Sequence, residues 1–104
     1  MKGRKHTRFA VQLPATYKGD QFSDGGTILN LSEEGCAITS GNVPGVGAYL
    51  GVTMQLRTRE EPVQVDLAAV RWSSATRFGV EFIKILPEED ERLKKFVKVL
   101  ESTI

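Results

Sequence analysis

Thr27-Ile28-Leu29-Asn30-Leu31-Ser32-Glu33-Glu34-Gly35-Cys36-Ala37-Ile38-Thr39 reads as two short strands folded back on a polar turn. Thr27 to Leu31 and Cys36 to Thr39 are built from β-branched and aliphatic residues that suit a pleated, half-buried surface. Ser32-Glu33-Glu34-Gly35 between them carries turn chemistry, so the two runs pair as an antiparallel hairpin.

The same grammar extends in both directions. Upstream, Phe9 to Tyr17 places Phe9, Val11, Leu13, Ala15 and Tyr17 at period two, the mark of a half-buried strand. Pro14 within it predicts an edge position or a bulge. Lys18 to Gly26, rich in Gly, Asp and Ser, reads as a loop. Downstream, Ser40 to Gly47 is a loop, Tyr49 to Leu56 a fourth strand and Arg57 to Pro62 a charged turn. Val63 to Trp72 is a fifth strand, with Val63, Val65, Leu67, Ala69 and Arg71 on one face and Trp72 expected in the core. Ser73 to Thr76 turns the chain into a sixth, Arg77 to Ile83.

After Pro87 the period changes. Glu88, Glu89, Asp90 and Glu91 sit where acids favour a helix N-terminus, with Lys94, Lys95 and Lys98 following. Leu93, Phe96, Val97 and Leu100 recur at helical spacing and form one apolar face for packing on the sheet. Six short strands and one amphipathic helix predict a mainly β fold: a six-stranded antiparallel barrel capped by a C-terminal helix. The chain divides into a basic N-terminal arm (1–8), the barrel (9–86) and the helix (87–104). A length of 104 residues allows one domain.

The formal net charge is +1, so no global attraction to nucleic acid is built in. The charge is uneven, however. Lys2, Arg4, Lys5 and Arg8 load the first eight residues, and all 13 acidic side chains lie beyond them. No apolar run approaches the ~20 residues of a membrane span, and the basic start has no apolar stretch behind it to act as a secretory signal. A single cysteine, Cys36, excludes an internal disulfide and suits a reducing, cytoplasmic setting. Without a secretory route, the sequon-like Asn30-Leu31-Ser32 is not a glycosylation site.

Catalytic chemistry is sparse. His6, the one histidine, lies in the arm, and Cys36 falls in a strand, where a buried apolar role is commoner than a nucleophilic one. One Cys and one His do not make a zinc site. Glu33-Glu34 and Glu60-Glu61 read as solvated turn charge. Gly41 to Gly51 lacks the Lys-Ser/Thr ending of a P-loop. The expectation is a protein that is not an enzyme and needs no cofactor or metal.

Two patterns point to a ligand. One is Arg4-Lys5-His6-Thr7-Arg8, with two arginines four apart ahead of the first strand; the other is Asn30-x-Ser32-x-x-Gly35 at the hairpin turn. Arginine pairs bidentately with phosphate and stacks flat on a base, which lysine does not. Asn30 carries an amide donor and acceptor that can read a base edge. Ser32 offers a short hydroxyl, and Gly35 allows a positive φ or close ligand approach. Taken alone, Asn30, Ser32 and Gly35 are also ordinary turn residues.

With both patterns in this order, the sequence resembles the PilZ family, whose members carry an Arg-x-x-x-Arg motif in the N-terminal segment and an Asp/Asn-x-Ser-x-x-Gly motif on the barrel surface. Val70-Arg71-Trp72 and Phe78-Gly79-Val80-Glu81-Phe82 are similar to that family's later strands, so the resemblance covers nearly the whole chain. It implies a six-stranded barrel with a C-terminal helix that binds cyclic di-GMP between the N-terminal arginines and the barrel. The ligand residues are then Arg4, Arg8, Asn30, Ser32 and Gly35, with Lys5 and Arg71 secondary and His6 and Arg77 further neighbours. A signal would leave through a protein partner. The alternatives are a small-barrel nucleic-acid binder using the basic arm, and a protein-interaction module independent of ligand. Gly3, neither basic nor bulky before Arg4, leaves open whether one ligand molecule or a stacked pair is held.

Overall fold

The computed structural model describes residues 7–102. Six strands run in order: β1 (Phe9–Lys18), β2 (Ser23–Leu31), β3 (Gly35–Thr39), β4 (Tyr49–Met54), β5 (Val63–Ser73) and β6 (Arg77–Lys84). The helix α1 (Pro87–Ser102) follows. All neighbours pair antiparallel, and the sheet closes into a barrel in the order β1-β2-β3-β6-β5-β4. The expected fold class is the one observed.

Alternation drives the closure. Ile28, Leu31, Cys36, Ile38, Val52, Met54, Val65, Val70, Phe78 and Val80 point into one continuous core. Tyr17 is buried among them, its ring edge-on to Phe78 with centroids 5.0 Å apart. Its hydroxyl lies 2.7 Å from Ser40 Oγ and 2.6 Å from the Asn42 carbonyl, so its single proton ties the β3–β4 loop to the core. In α1, Pro87 occupies the first helical position and Glu88, Glu89 and Asp90 fill the first turn. Leu93 and Val97 are fully buried in the core, while Phe96 packs half-buried against it. No helix among the described residues is long and apolar enough to cross a membrane.

Three local expectations are corrected. The segment Lys18 to Gly26 is not all loop, because β2 begins at Ser23 and Gly25 and Gly26 pair with Thr16 and Ala15. The chain reverses over Gly19 to Phe22, where the Gly19 amide donates to the Phe22 carbonyl at 2.9 Å. Gly26 is a close-approach residue in a strand: a Cβ there would strike the Thr39 carbonyl oxygen across β3.

The second correction is the phase of β5. Between Val65 and Ala68, β5 carries one residue more than β4 opposite it, where Val52 and Leu50 pair with Val65 and Ala68, so Ala68 and Val70 join the core cluster instead of Leu67 and Ala69. The third follows from another shift between Val70 and Trp72. It turns Trp72 outward, 42% exposed, where the sequence had suggested core. Pro14 needs no free edge strand. It stands just beyond a register shift in β1, at the point where pairing with β4 begins at Ala15.

Candidate functional site

Cross-strand partners share a face of the sheet. The pairs Ala10↔Asn30, Asn30↔Ala37, Ala37↔Gly79 and Gly79↔Trp72 therefore form one row across five strands. Asn30 and Trp72 are its only large side chains, and Ala10, Ala37 and Gly79 contribute a methyl group or less. The next row runs Tyr49↔Ala69↔Glu81↔Gly35 and is likewise bare at Ala69 and Gly35. Together the rows make a flat wall on the outside of the barrel.

Arg8 reaches over this wall from the start of β1. Its Nη1 donates to Asn30 Oδ1 at 3.1 Å, linking two residues 22 positions apart. Its Nη2 would lie 3.2 Å from a Cβ built on Gly35. On the far side, Trp72 lies directly on Gly79, where any Cβ would collide with the indole. Arg71 Nε pairs with Glu81 Oε1 at 2.8 Å, in an exposed ion pair. A shallow pocket of about 190 Å³ lies between these groups, lined by Arg8, Glu34, Arg71, Trp72, Gly79, Val80 and Glu81. The wall thus offers two guanidinium groups and one indole around a flat floor.

The hairpin turn is internally braced. Ser32 is the one buried polar residue among those described. Its Oγ accepts from the amides of Glu34 at 3.1 Å and Gly35 at 3.2 Å and lies 3.4 Å from the Gly35 carbonyl. Gly35 does not have a positive φ; among the described residues only Gly47 does, at 93°. Glycine is required at 35 because a Cβ would strike the Val80 carbonyl oxygen of β6. Ser32 and Gly35 therefore shape the wall beneath Arg8, and the Ser32 hydroxyl is already engaged.

The structure brings together Arg8, Asn30, Gly35 and Arg71 of the residues singled out from sequence. Arg4, Lys5 and His6 lie outside the described residues. Sequence reasoning missed Trp72, Gly79 and Glu81 as wall residues. A glycine in mid-strand was the available signal, since it marks a surface that something approaches closely.

Cys36 lies beneath the wall, in the core. Burial pushes its thiol up to about 12 from a usual value of 9.0, opposed only in part by the nearby Arg8 charge. It is protonated and inaccessible, the opposite of an activated nucleophile. The unfolded chain gives up this proton near pH 9 and the folded chain holds it to about 12. Stability is unaffected below pH 9 and falls as pH rises through that window. Between pH 8 and 10, the wild-type protein should lose about 1 kcal/mol more than Cys36→Ala in urea unfolding. Equal losses would show that the thiol ionises in the folded state. No group of His, Cys, Asp and Glu among the described residues is placed to hold a metal ion.

Comparison with known proteins agrees with this architecture. The family model of the PilZ domain matches residues 2–98. The Bacillus subtilis inhibitor of motility, MotI/DgrA, superposes with a TM-score of 0.76 at 17% identity, covering 98% of this chain. The chain spans 53% of the length of that protein. The PilZ domain of CeSA from a cellulose-synthesizing bacterium superposes with a TM-score of 0.72 at 13% identity, covering 91% of this chain and 98% of that one. Comparison with curated protein sequences gives no match. The two structural likenesses speak for the barrel and its helix, and the family match speaks for descent: this chain belongs to the PilZ domain family.

Proposed function

We propose that this protein is a cyclic di-GMP receptor that acts without catalysis, in the cytoplasm, by changing the surface it offers to a protein partner. The observation that carries the reading is the hydrogen bond from Arg8 to Asn30 above Gly35. It gathers parts of both sequence motifs on one wall, opposite Arg71 and Trp72.

Cyclic di-GMP brings two phosphodiester charges and two flat bases. The fork of Arg8 suits a phosphate or a guanine edge, and Arg4 from the arm would supply a second fork, with Lys5 adding charge. The small residues Gly35, Ala37 and Gly79 let Arg8 and Trp72 lie close on the wall, and the exposed Trp72 indole offers a stacking face to a planar base. Asn30 would exchange its bond to Arg8 for a base edge. If the arm is free without ligand, ordering it opposes binding entropically, and the arm fixed on the ligand would be the new face a partner reads. Motility, as in the inhibitor named above, and biofilm-related signalling are the settings this reading favours.

Titration calorimetry with cyclic di-GMP, against GTP and cyclic GMP, tests it. Saturable heat is expected for the dinucleotide alone. Trp72 is the only tryptophan, so its fluorescence should change along the same isotherm. Absence of both signals would reject the reading. A salt-steep gel shift with no response to cyclic di-GMP would instead assign the basic arm to nucleic acid.

A further inference from the structure

A second concavity lies between α1 and the β4–β5 turn, a groove of about 580 Å³. Its floor is apolar: Leu56 and Val63 from the barrel side, Phe96 and Val99 from the helix, with Val99 43% exposed. Val63 opens β5 and Trp72 nearly closes it, so the groove and the ligand wall lie toward opposite ends of one strand. Nine residues at about 3.3 Å each separate them by roughly 30 Å.

The groove is held in shape. Arg92 donates to the Pro62 carbonyl at 3.3 Å and to the Glu61 carbonyl, fastening the turn to the helix. Arg57 lies over the Phe96 ring at 5.4 Å and 3.9 Å from Glu60. These contacts balance Glu60 with Arg57, and Arg92 is likewise matched by Glu89 at 3.5 Å. Lys95 and Lys98, on the helical lip, are exposed and have no ion-pair partner among the described residues; Glu61 is the one remaining acid of the groove lining, with Glu91 and Glu101 a turn away along the helix. An apolar floor beside two unbalanced ammonium groups is complementary to an apolar side chain followed by carboxylates.

We infer that this groove is a docking site for a partner protein's acidic segment, one that seats aliphatic side chains on Phe96 and Val99 and sets its carboxylates against Lys95 and Lys98. The inference stands on the groove and does not depend on cyclic di-GMP. A concave, two-walled cleft suits an inserted segment better than a flat membrane surface. The lysines set orientation and salt dependence, and the floor supplies most of the attraction.

The test is an amide chemical-shift titration of the full chain, without nucleotide, using short synthetic peptides of alternating leucine and glutamate and of helically spaced leucine with glutamate. Counterparts with lysine for glutamate, and phosphatidylglycerol vesicles, form the other arms. Glutamate peptides should move the amides of Val63, Phe96 and Val99 and leave Asn30 and Ala37 still. Lys95→Glu with Lys98→Glu, both solvent-facing substitutions, should weaken binding at least tenfold, with native spectra elsewhere. The proposal fails if no glutamate peptide moves groove amides, if the lysine peptides bind equally, if the charge-reversed variant binds as well as wild type, or if only the vesicles produce shifts.

Discussion

Arg8→Ala should bind cyclic di-GMP about ten- to a hundredfold more weakly than wild type while folding almost as stably. Loss of a charge-assisted contact costs about 1.5–3 kcal/mol, which sets that range. The fold should tolerate the change because Arg8 is exposed and its bond to Asn30 is a surface bond. Arg8→Lys keeps the charge and loses the fork and the flat face, so it should recover only part of the affinity. Arg4→Ala should behave like Arg8→Ala if the arm closes over the ligand. Calorimetry paired with urea unfolding separates the two properties. Wild-type affinity in both alanine variants would remove the arginines from the binding mechanism.

The second large effect should appear without any ligand. In Gly35→Ala the new methyl would meet the Val80 carbonyl oxygen, a backbone atom of the paired strand that has no rotamer to escape into. β3 and β6 must move apart, and overpacking of this kind costs about 1–3 kcal/mol. The same methyl would crowd the Arg8 guanidinium, so any nucleotide affinity should fall as well. Gly41→Ala is the matched control, since nothing lies within 4 Å of a Cβ there. Urea midpoints read both. If Gly35→Ala unfolds at the same denaturant concentration as Gly41→Ala, the close approach of the two strands is not real.

Periodicity carried the fold a long way. Strict alternation in β1, the Thr27–Thr39 hairpin and the switch to helical spacing after Pro87 all fall where the residues suggested. Alternation failed where the chain inserts an extra residue. The extra residues of β5 between Val65 and Ala68 and between Val70 and Trp72 change its inward phase beyond Val65, and no local signal in Val63 to Trp72 announces them. Turn propensity failed at Gly25 and Gly26, because glycine's weakness as a strand former was overridden by a crowded cross-strand contact with β3. At the wall, residue type pointed to Arg8 and Asn30, whose chemistry is explicit. Gly79 and Trp72 act through absence and position: the missing side chain of one lets the indole of the other lie on it, and Trp72 owes its exposure to a bulge. Ser32 and Gly35 were legible as important but not in kind, since turn bracing and ligand contact demand the same two residue types.

The barrel closes unevenly. β1 pairs with β2 along its length through eight partners, but with β4 through only four, Ala15 to Lys18. The stretch Phe9 to Leu13 is therefore stitched down on a single side. Arg8 immediately precedes that stretch, so the guanidinium hangs from a stave held by one neighbour. Phe9 and Ala10 stay tied to Leu31 and Asn30, so a load on Arg8 passes first to the stave that carries Asn30, while the four rungs beyond Pro14 keep the hoop shut.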